Sequence, residues 1–271
     1  MTAWIPLRVA AVVVAACALF AQTGPHDRVG RGGSGAVTEQ RIFAELIDHD
    51  RARSEALLEY SAMRVYRVSD ANGKTHAQEE GRMDFQAPDI KKFTVTSEQG
   101  SGIVRRLALS PLIASEVKAA RGKDRHDSAI SPANYDLQLL GEQDVRGHRC
   151  YVLRAIPKRV DKYLFDGQVW IDTQDFAVVR IEGRPAAHLS FWIKRAEFVR
   201  DYERVAGFWL PYKDETEVEV RLYGKKVLTI DHHDYAVKGK SMVQGLENPC
   251  NSGCGVQATA VVHTVLEQAQ E

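Results

Sequence analysis

Three stretches of this sequence have residue types and spacings that could do chemistry. The first ends in Asp172-Thr173-Gln174-Asp175, two carboxylates three residues apart. A carboxylate pair can hydrolyse a bond when the two face each other across a cleft and an apolar pocket raises one pKa. The four-residue spacing suits a hairpin turn better, because Asp oxygens accept hydrogen bonds from turn amides. The second stretch, Asp231-His232-His233-Asp234, looks like a metal site on paper. In a strand, neighbours point to opposite faces, so each face offers only two ligands where zinc needs about four. The third, Cys250-Asn251-Ser252-Gly253-Cys254, puts two thiols beside turn residues. It can close as a local Cys250–Cys254 disulfide. A bridge to Cys150 and a metal or redox role stay open as alternatives. Cys150 itself lies in a predicted strand beside Arg149 and needs a nearby histidine to become a nucleophile. No Gly-x-Ser-x-Gly elbow is present. The reading is of a non-enzyme, with no catalytic residue, metal or cofactor called for.

The whole chain sets the frame for these stretches. It has 271 residues, 44% hydrophobic and 27% charged, enough for a substantial globular core. Basic and acidic residues balance at 36 each, and that argues against a nucleic-acid partner, which selects for basic excess. Residues 1–21 have the layout of a secretory signal peptide, with Arg8 ahead of the apolar run 9–21. That run is shorter than the roughly 20 residues that span a bilayer core. Cleavage after Ala21 and lipid attachment at Cys17, in the weak lipobox Val14-Ala15-Ala16-Cys17, are the two processing routes. The apolar run continues past Cys17, which favours plain secretion. Residues 22–37 are Gly-rich and read as a flexible linker. Gly30-Arg31-Gly32-Gly33-Ser34-Gly35 lacks both the preceding strand and the closing Lys-Ser/Thr of a phosphate loop. Residues 38–240 form the folded domain, and residues 241–271 a tail with the Cys pair.

Within the domain, residues 38–58 have helical spacing at Ile42, Leu46 and Ile47, with Leu57 and Leu58 continuing it, and Thr38 placed to cap. From Tyr60 the period becomes two. Asn72-Gly73 marks a hairpin, and strands are expected over 75–86 and 91–97. Residues 102–131 suggest one or two short helices with Pro111 near a start, followed by a solvated loop over 121–127. Strands then follow at 135–141, 150–157, 165–172, 177–183, 190–202, 208–222 and 226–237. Their connections are short enough to join only antiparallel neighbours, so one large sheet forms and must curl. Pro211 demands a bulge or an edge.

Three segments then carry a resemblance: Tyr163 to Asp172 with its closing Trp-Ile-Asp, Phe176-Ala177-Val178-Val179-Arg180-Ile181-Glu182-Gly183, and Gly207-Phe208-Trp209-Leu210-Pro211-Tyr212. With the order helix, hairpin, helical insertion, meander, the chain resembles the LolA-type periplasmic lipoprotein carriers over about residues 38–237. It is also similar to the related N-terminal domain of the RseB and MucB regulators. The resemblance implies a mainly β (α+β) fold, a large curved antiparallel sheet forming an open half-barrel, covered by an N-terminal helix and a short helical insertion. It implies a periplasmic protein, without a cofactor, that holds a lipid or the acyl chains of a lipoprotein, with an inner- or outer-membrane protein as a further partner. Trp170, Phe191, Trp192, Phe208 and Trp209 are the candidates for lining such a cavity, against the alternative that each is ordinary core. A sensor that contacts a membrane protein, as in the RseB type, is the second functional reading, and a hydrolase the third. The second domain of RseB has no counterpart in the residues that remain.

Overall fold

Alternation of apolar and polar residues beyond position 56 produces strands wherever a turn sequence lets the chain reverse. The described residues of this computed structural model are 37–120, 128–189, 191 and 193–240. The signal segment, Cys17, the loop over 121–127, Trp192, and the tail with Cys250 and Cys254 lie outside them. The helix α1 (Glu39–Ala56) starts where expected, with the Thr38 hydroxyl accepting from the Arg41 amide at 3.3 Å. The strands are β1 (Leu57–Asp70), β2 (Thr75–Gln86), β3 (Ile90–Gly100), β4 (Tyr135–Val145), β5 (His148–Pro157), β6 (Phe165–Asp172), β7 (Val178–Pro185), β8 (Ile193–Val205), β9 (Phe208–Val220) and β10 (Gly224–Gly239). Between β3 and β4 runs the insertion: the single turn α2 (Gly102–Val104), a π-helical turn over Arg105–Leu109, and α3 (Ser110–Ala119) with Pro111 in its first turn.

Turn chemistry explains the reversals. Asp70 Oδ1 accepts from the amides of Asn72 and Lys74, and Gly73 takes φ +80° without a side-chain penalty. Three expectations shift, the first being the strand expected over 190–202, which runs Ile193–Val205. Leu57 and Leu58 belong to β1, not to the helix, because Leu57 pairs with Gly239 of β10 and is buried there. Leu222 lies in the β9–β10 turn at φ +69°, so β9 ends at Val220. Pro211 sits beside the register shift between Asp201 and Tyr202, where the bulge tolerates a residue with no N–H.

The strands form one open antiparallel sheet in the order β3-β2-β1-β10-β9-β8-β7-β6-β5-β4. It is curved, mostly β, and covered by α1 and the insertion, as the resemblance implies. Every neighbouring pair but one is consecutive in sequence. The exception, β1 with β10, joins the first strand to the last over the length of both. The edges β3 and β4 are joined through the insertion. Because all pairs are antiparallel, the β1–β2, β5–β6, β7–β8 and β9–β10 connections and the start of the insertion fall at one end of the sheet. The β2–β3, β4–β5, β6–β7 and β8–β9 turns fall at the other.

Directly paired residues share a face, so the registers trace one row across the sheet. Leu153, Val169, Ile181, Arg200, Asp214, Ile230, Tyr66 and Glu79 follow one another along it from β5 to β2. Both covers lie on this face. Ile42 and Leu46 of α1 join Leu153, Val169 and Ile181 in one core cluster. Leu109, Leu112 and Ile113 of the insertion join Tyr66, Ala77 and Ile230 in a second. Each aliphatic side chain buried this way contributes about 1.5–3 kcal/mol. The opposite face carries ion pairs, with Arg180 clamped on Asp201 at 2.6 and 3.1 Å and Arg67 paired with Asp231, beside buried Val65, Val152 and Trp170.

Candidate functional site

Between the two apolar clusters the covered face carries charge. Arg64 of β1 is 1% exposed and pairs with Glu116 of α3. The Tyr66 hydroxyl donates to Glu116 Oε2 at 3.1 Å, and Lys91 of β3 stands 3.4 Å from Glu116 Oε1. One strand over, His232 Nε2 lies 2.9 Å from Asp214 Oδ2, and Asp214 also pairs with Arg200. The sequence puts these groups together for a simple reason. Arg64 shares parity with Ala62 and Tyr66, Asp214 with Thr216, and His232 with Ile230, so each occupies an inward position of an otherwise apolar alternation. Two buried polar atoms in this seam, Arg64 Nε and His232 Nδ1, have no hydrogen-bond partner.

Burial disfavours the Glu116 carboxylate, but Arg64 and Lys91 outweigh it and hold the group well below the usual range. Burial likewise opposes ionisation of Asp214, and Arg200 with His232 overcomes it and lowers the pKa. Burial, helped by the Arg64 charge, pushes His232 below its usual value of about 6.5, against the pull of Asp214 and Glu116. The folded state therefore binds fewer protons than the unfolded chain as pH drops below ~6.5. Stability present above that value is lost on acidification, with a slope from this group of at most about 1.4 kcal/mol per pH unit. Replacing His232 by Gln is expected to flatten the loss of urea-unfolding stability on acidification below about pH 6.5. A wild-type slope that persists in the variant would assign the proton uptake elsewhere.

Two of the opening stretches resolve; the third, Cys250–Cys254, lies outside the described residues. Asp172 Oδ1 accepts from the amides of Gln174 and Asp175, and Asp175 Oδ1 accepts from Ala177, so both carboxylates serve the turn. Their second oxygens are also engaged, Asp172 with His148 at 3.2 Å and Asp175 with the Trp209 indole at 2.8 Å. Asp231 and His232 take opposite faces as strand geometry requires, and among the described residues no cluster of three or more His, Cys, Asp or Glu could hold a metal. Among the described residues Cys150 is buried with no disulfide partner, and burial followed by Asp172 pushes its thiol pKa up to about 12, away from nucleophilic use.

Of the described aromatic candidates, Trp170 and Trp209 belong to the first cluster, Phe208 to a third, and Phe191 is exposed. Trp170 pairs with Arg180, on the face opposite the helices, and its indole donates to Gln143 at 3.0 Å. Phe191 is 73% exposed in the β7–β8 connection. Phe208 is buried in a third cluster with Tyr60 and Leu210, and Trp209 in the first. A cleft of about 560 Å³ lies elsewhere, where β10 ends beside β1–β3, lined by Tyr60, Phe85 and Ile90 among charged residues. Sequence reasoning missed the seam of Arg64, Glu116, Asp214 and His232. The available signal was a charge standing at an apolar position of an alternating strand.

A family model described as "Uncharacterized protein" matches residues 123–240. No curated protein matches the sequence. Among solved structures the chain is similar to a DUF1329 family protein from Desulfovibrio piger, at 15% identity and a TM-score of 0.41, with 73% of this chain and 92% of that one covered. It is similar to a LolA superfamily protein from Nitrosomonas europaea at 12% identity and a TM-score of 0.35, covering 75% and 94%. It is also similar to the lipoprotein LppX from Mycobacterium tuberculosis at 12% identity and a TM-score of 0.28, covering 73% and 96%.

Proposed function

We propose that this chain is an exported bacterial binding protein that holds a lipid, or the acyl chains of a lipoprotein, against the helix-covered face of its half-barrel. The observation that carries this reading is the cover itself. Among the described residues, Ile42, Phe43 and Leu46 of α1 and Val104, Leu109, Leu112 and Ile113 of the insertion stand over the apolar positions of that face in the two clusters. An acyl chain gains about 0.8 kcal/mol per buried CH₂, so it can take the place of a displaced aliphatic cover without any reactive group. Residues 38–240 form the binding unit in this reading, residues 1–21 direct export, and residues 22–37 link the two.

The test is lipid extraction from protein purified out of a bacterial periplasm, with mass spectrometry of the extract, followed by titration of the delipidated protein with an acylated peptide. The expected result is a bound lipid and saturable binding that fails with the non-acylated peptide. Delipidated protein that binds neither lipid nor acylated peptide would overturn the carrier reading.

A further inference from the structure

Hydrophobic exposure is concentrated at one end of the molecule. Among the described residues, the large apolar side chains more than 60% exposed are Leu222 at 89%, Val160 at 82%, Phe191 at 73%, Tyr223 at 68% and Ile103 at 63%. Val160 lies in the β5–β6 connection, Phe191 in β7–β8, Leu222 and Tyr223 in β9–β10, and Ile103 at the start of the insertion. The strand directions place all four segments on the same rim. At the other rim the most exposed large apolar side chain is Ile90, at 47%.

The tip at Leu222 is built to project. Its φ of +69° is a conformation that Gly or Asn adopts far more readily than Leu, and it turns the side chain to solvent instead of into the sheet. Arg221 ties this turn to the neighbouring one. Its Nε donates to the Phe191 carbonyl at 2.8 Å, and its guanidinium lies 4.7 Å from the centre of the Phe191 ring. The connections on this rim carry Lys74, Lys158, Arg159, Lys162 and Arg221 against Asp161, with Asp70 and Asp136 at the adjoining strand ends; Lys158 pairs with Asp136 and Arg159 with Asp161, which leaves an excess of positive charge.

We infer that this rim is a docking surface for an anionic lipid bilayer, with Leu222, Tyr223 and Phe191 entering the headgroup region. The distribution favours a bilayer over a protein partner. A specific protein interface needs a contiguous, well-packed patch of about 800 Å² on each side. Here the apolar side chains stand apart on separate connections, which suits a fluid surface that can receive each one. Aromatic and aliphatic tips surrounded by cations match the headgroup boundary of an anionic membrane. The rim also carries Ser101, where the insertion begins, so docking brings the bilayer to one of the two covers of the half-barrel. The inference stands whether or not the covered face holds an acyl chain.

The experiment is flotation of the full exported chain with phosphatidylcholine vesicles and with vesicles containing about one-third phosphatidylglycerol. Amide exchange of the vesicle-bound protein locates the contact. Wild type is expected to favour the anionic vesicles by about tenfold and to lose that preference in high salt. The double substitution Leu222→Ser, Tyr223→Ser is expected to weaken partitioning by about tenfold. Vesicles should slow exchange at residues 186–191 and 220–224 but not at the opposite turn, 206–207. Leu222→Asn should keep or raise Tm while reducing partitioning, which separates docking from folding. Acylated-peptide binding by these rim variants should be unchanged, so a failed carrier reading and a failed docking inference give different results. Equal partitioning of wild type and the double variant, protection away from this rim, or capture of a soluble protein with no vesicle binding would overturn the inference.

Discussion

Glu116→Ala is expected to cost about 3–5 kcal/mol of unfolding free energy, the largest loss from any single polar side chain in the covered face. The carboxylate is the partner that keeps Arg64 charged inside the protein, and it also receives the Tyr66 hydroxyl and stands near Lys91. Removing it leaves a guanidinium that is 1% exposed with no counter-ion in the ion pair. Burying an unpaired charge is far more costly than the pair is stabilising. The control follows from the same physics. Replacing both partners with apolar residues, Arg64→Met with Glu116→Leu, removes the two desolvation penalties together. The double variant should therefore lie within about 1 kcal/mol of wild type, or above it. Urea titration of the four proteins gives the coupling energy, and amide exchange on α3 shows whether the insertion lifts before the sheet unfolds. A loss under about 1 kcal/mol for Glu116→Ala would mean that solvent reaches Arg64.

The second large effect is a collision. Gly167 of β6 is paired directly with Gly183 of β7. A β-carbon on Gly167 would fall 1.9 Å from the Glu182 carbonyl oxygen and 2.6 Å from Gly183 Cα. Both contacts are with backbone, so no rotamer change can relieve them. The strands would have to separate where Phe165 and Phe198 pack edge to face across the same face, with centroids 5.7 Å apart. Gly167→Ala is expected to cost about 3 kcal/mol, measured by chemical denaturation. Gly207→Ala is the informative comparison. Nothing lies within 4 Å of the new carbon there, and only its φ of +85° is at stake, which costs about 1–2 kcal/mol. If the two substitutions cost the same, backbone strain and not strand spacing would account for the Gly167 effect.

Much of this fold can be read locally. Alternation gave β2 and β6 to the residue, because apolar–polar periodicity and turn residues act within a few positions. The Thr38 cap, the Asn72-Gly73 turn and the turn role of Asp172 and Asp175 follow from side-chain chemistry next to the backbone groups it serves. The helix end was misplaced for the opposite reason. Leu57 and Leu58 continue a helical spacing, but pairing with a strand more than 180 residues later draws them into β1.

The sequence by itself determined that this is a mostly β chain whose strands run antiparallel to their neighbours, with a helix at its front and helical turns at its centre. Those properties depend on period and on short connections. Tertiary structure alone decided that β1 meets β10, and therefore which positions share a face. Periodicity separates two faces but does not say which one the helices cover, so Trp170 could not be placed until Arg180 and Asp201 were seen beside it. The charged seam depends on the same non-local fact. Arg64, Glu116, Asp214 and His232 are scattered over the chain and converge only because strand order and the return of α3 bring their inward positions together. The rim of exposed Leu222, Tyr223 and Phe191 is likewise invisible in sequence, where the three fall in two separate turns, and appears only when strand direction sets which turns share an end.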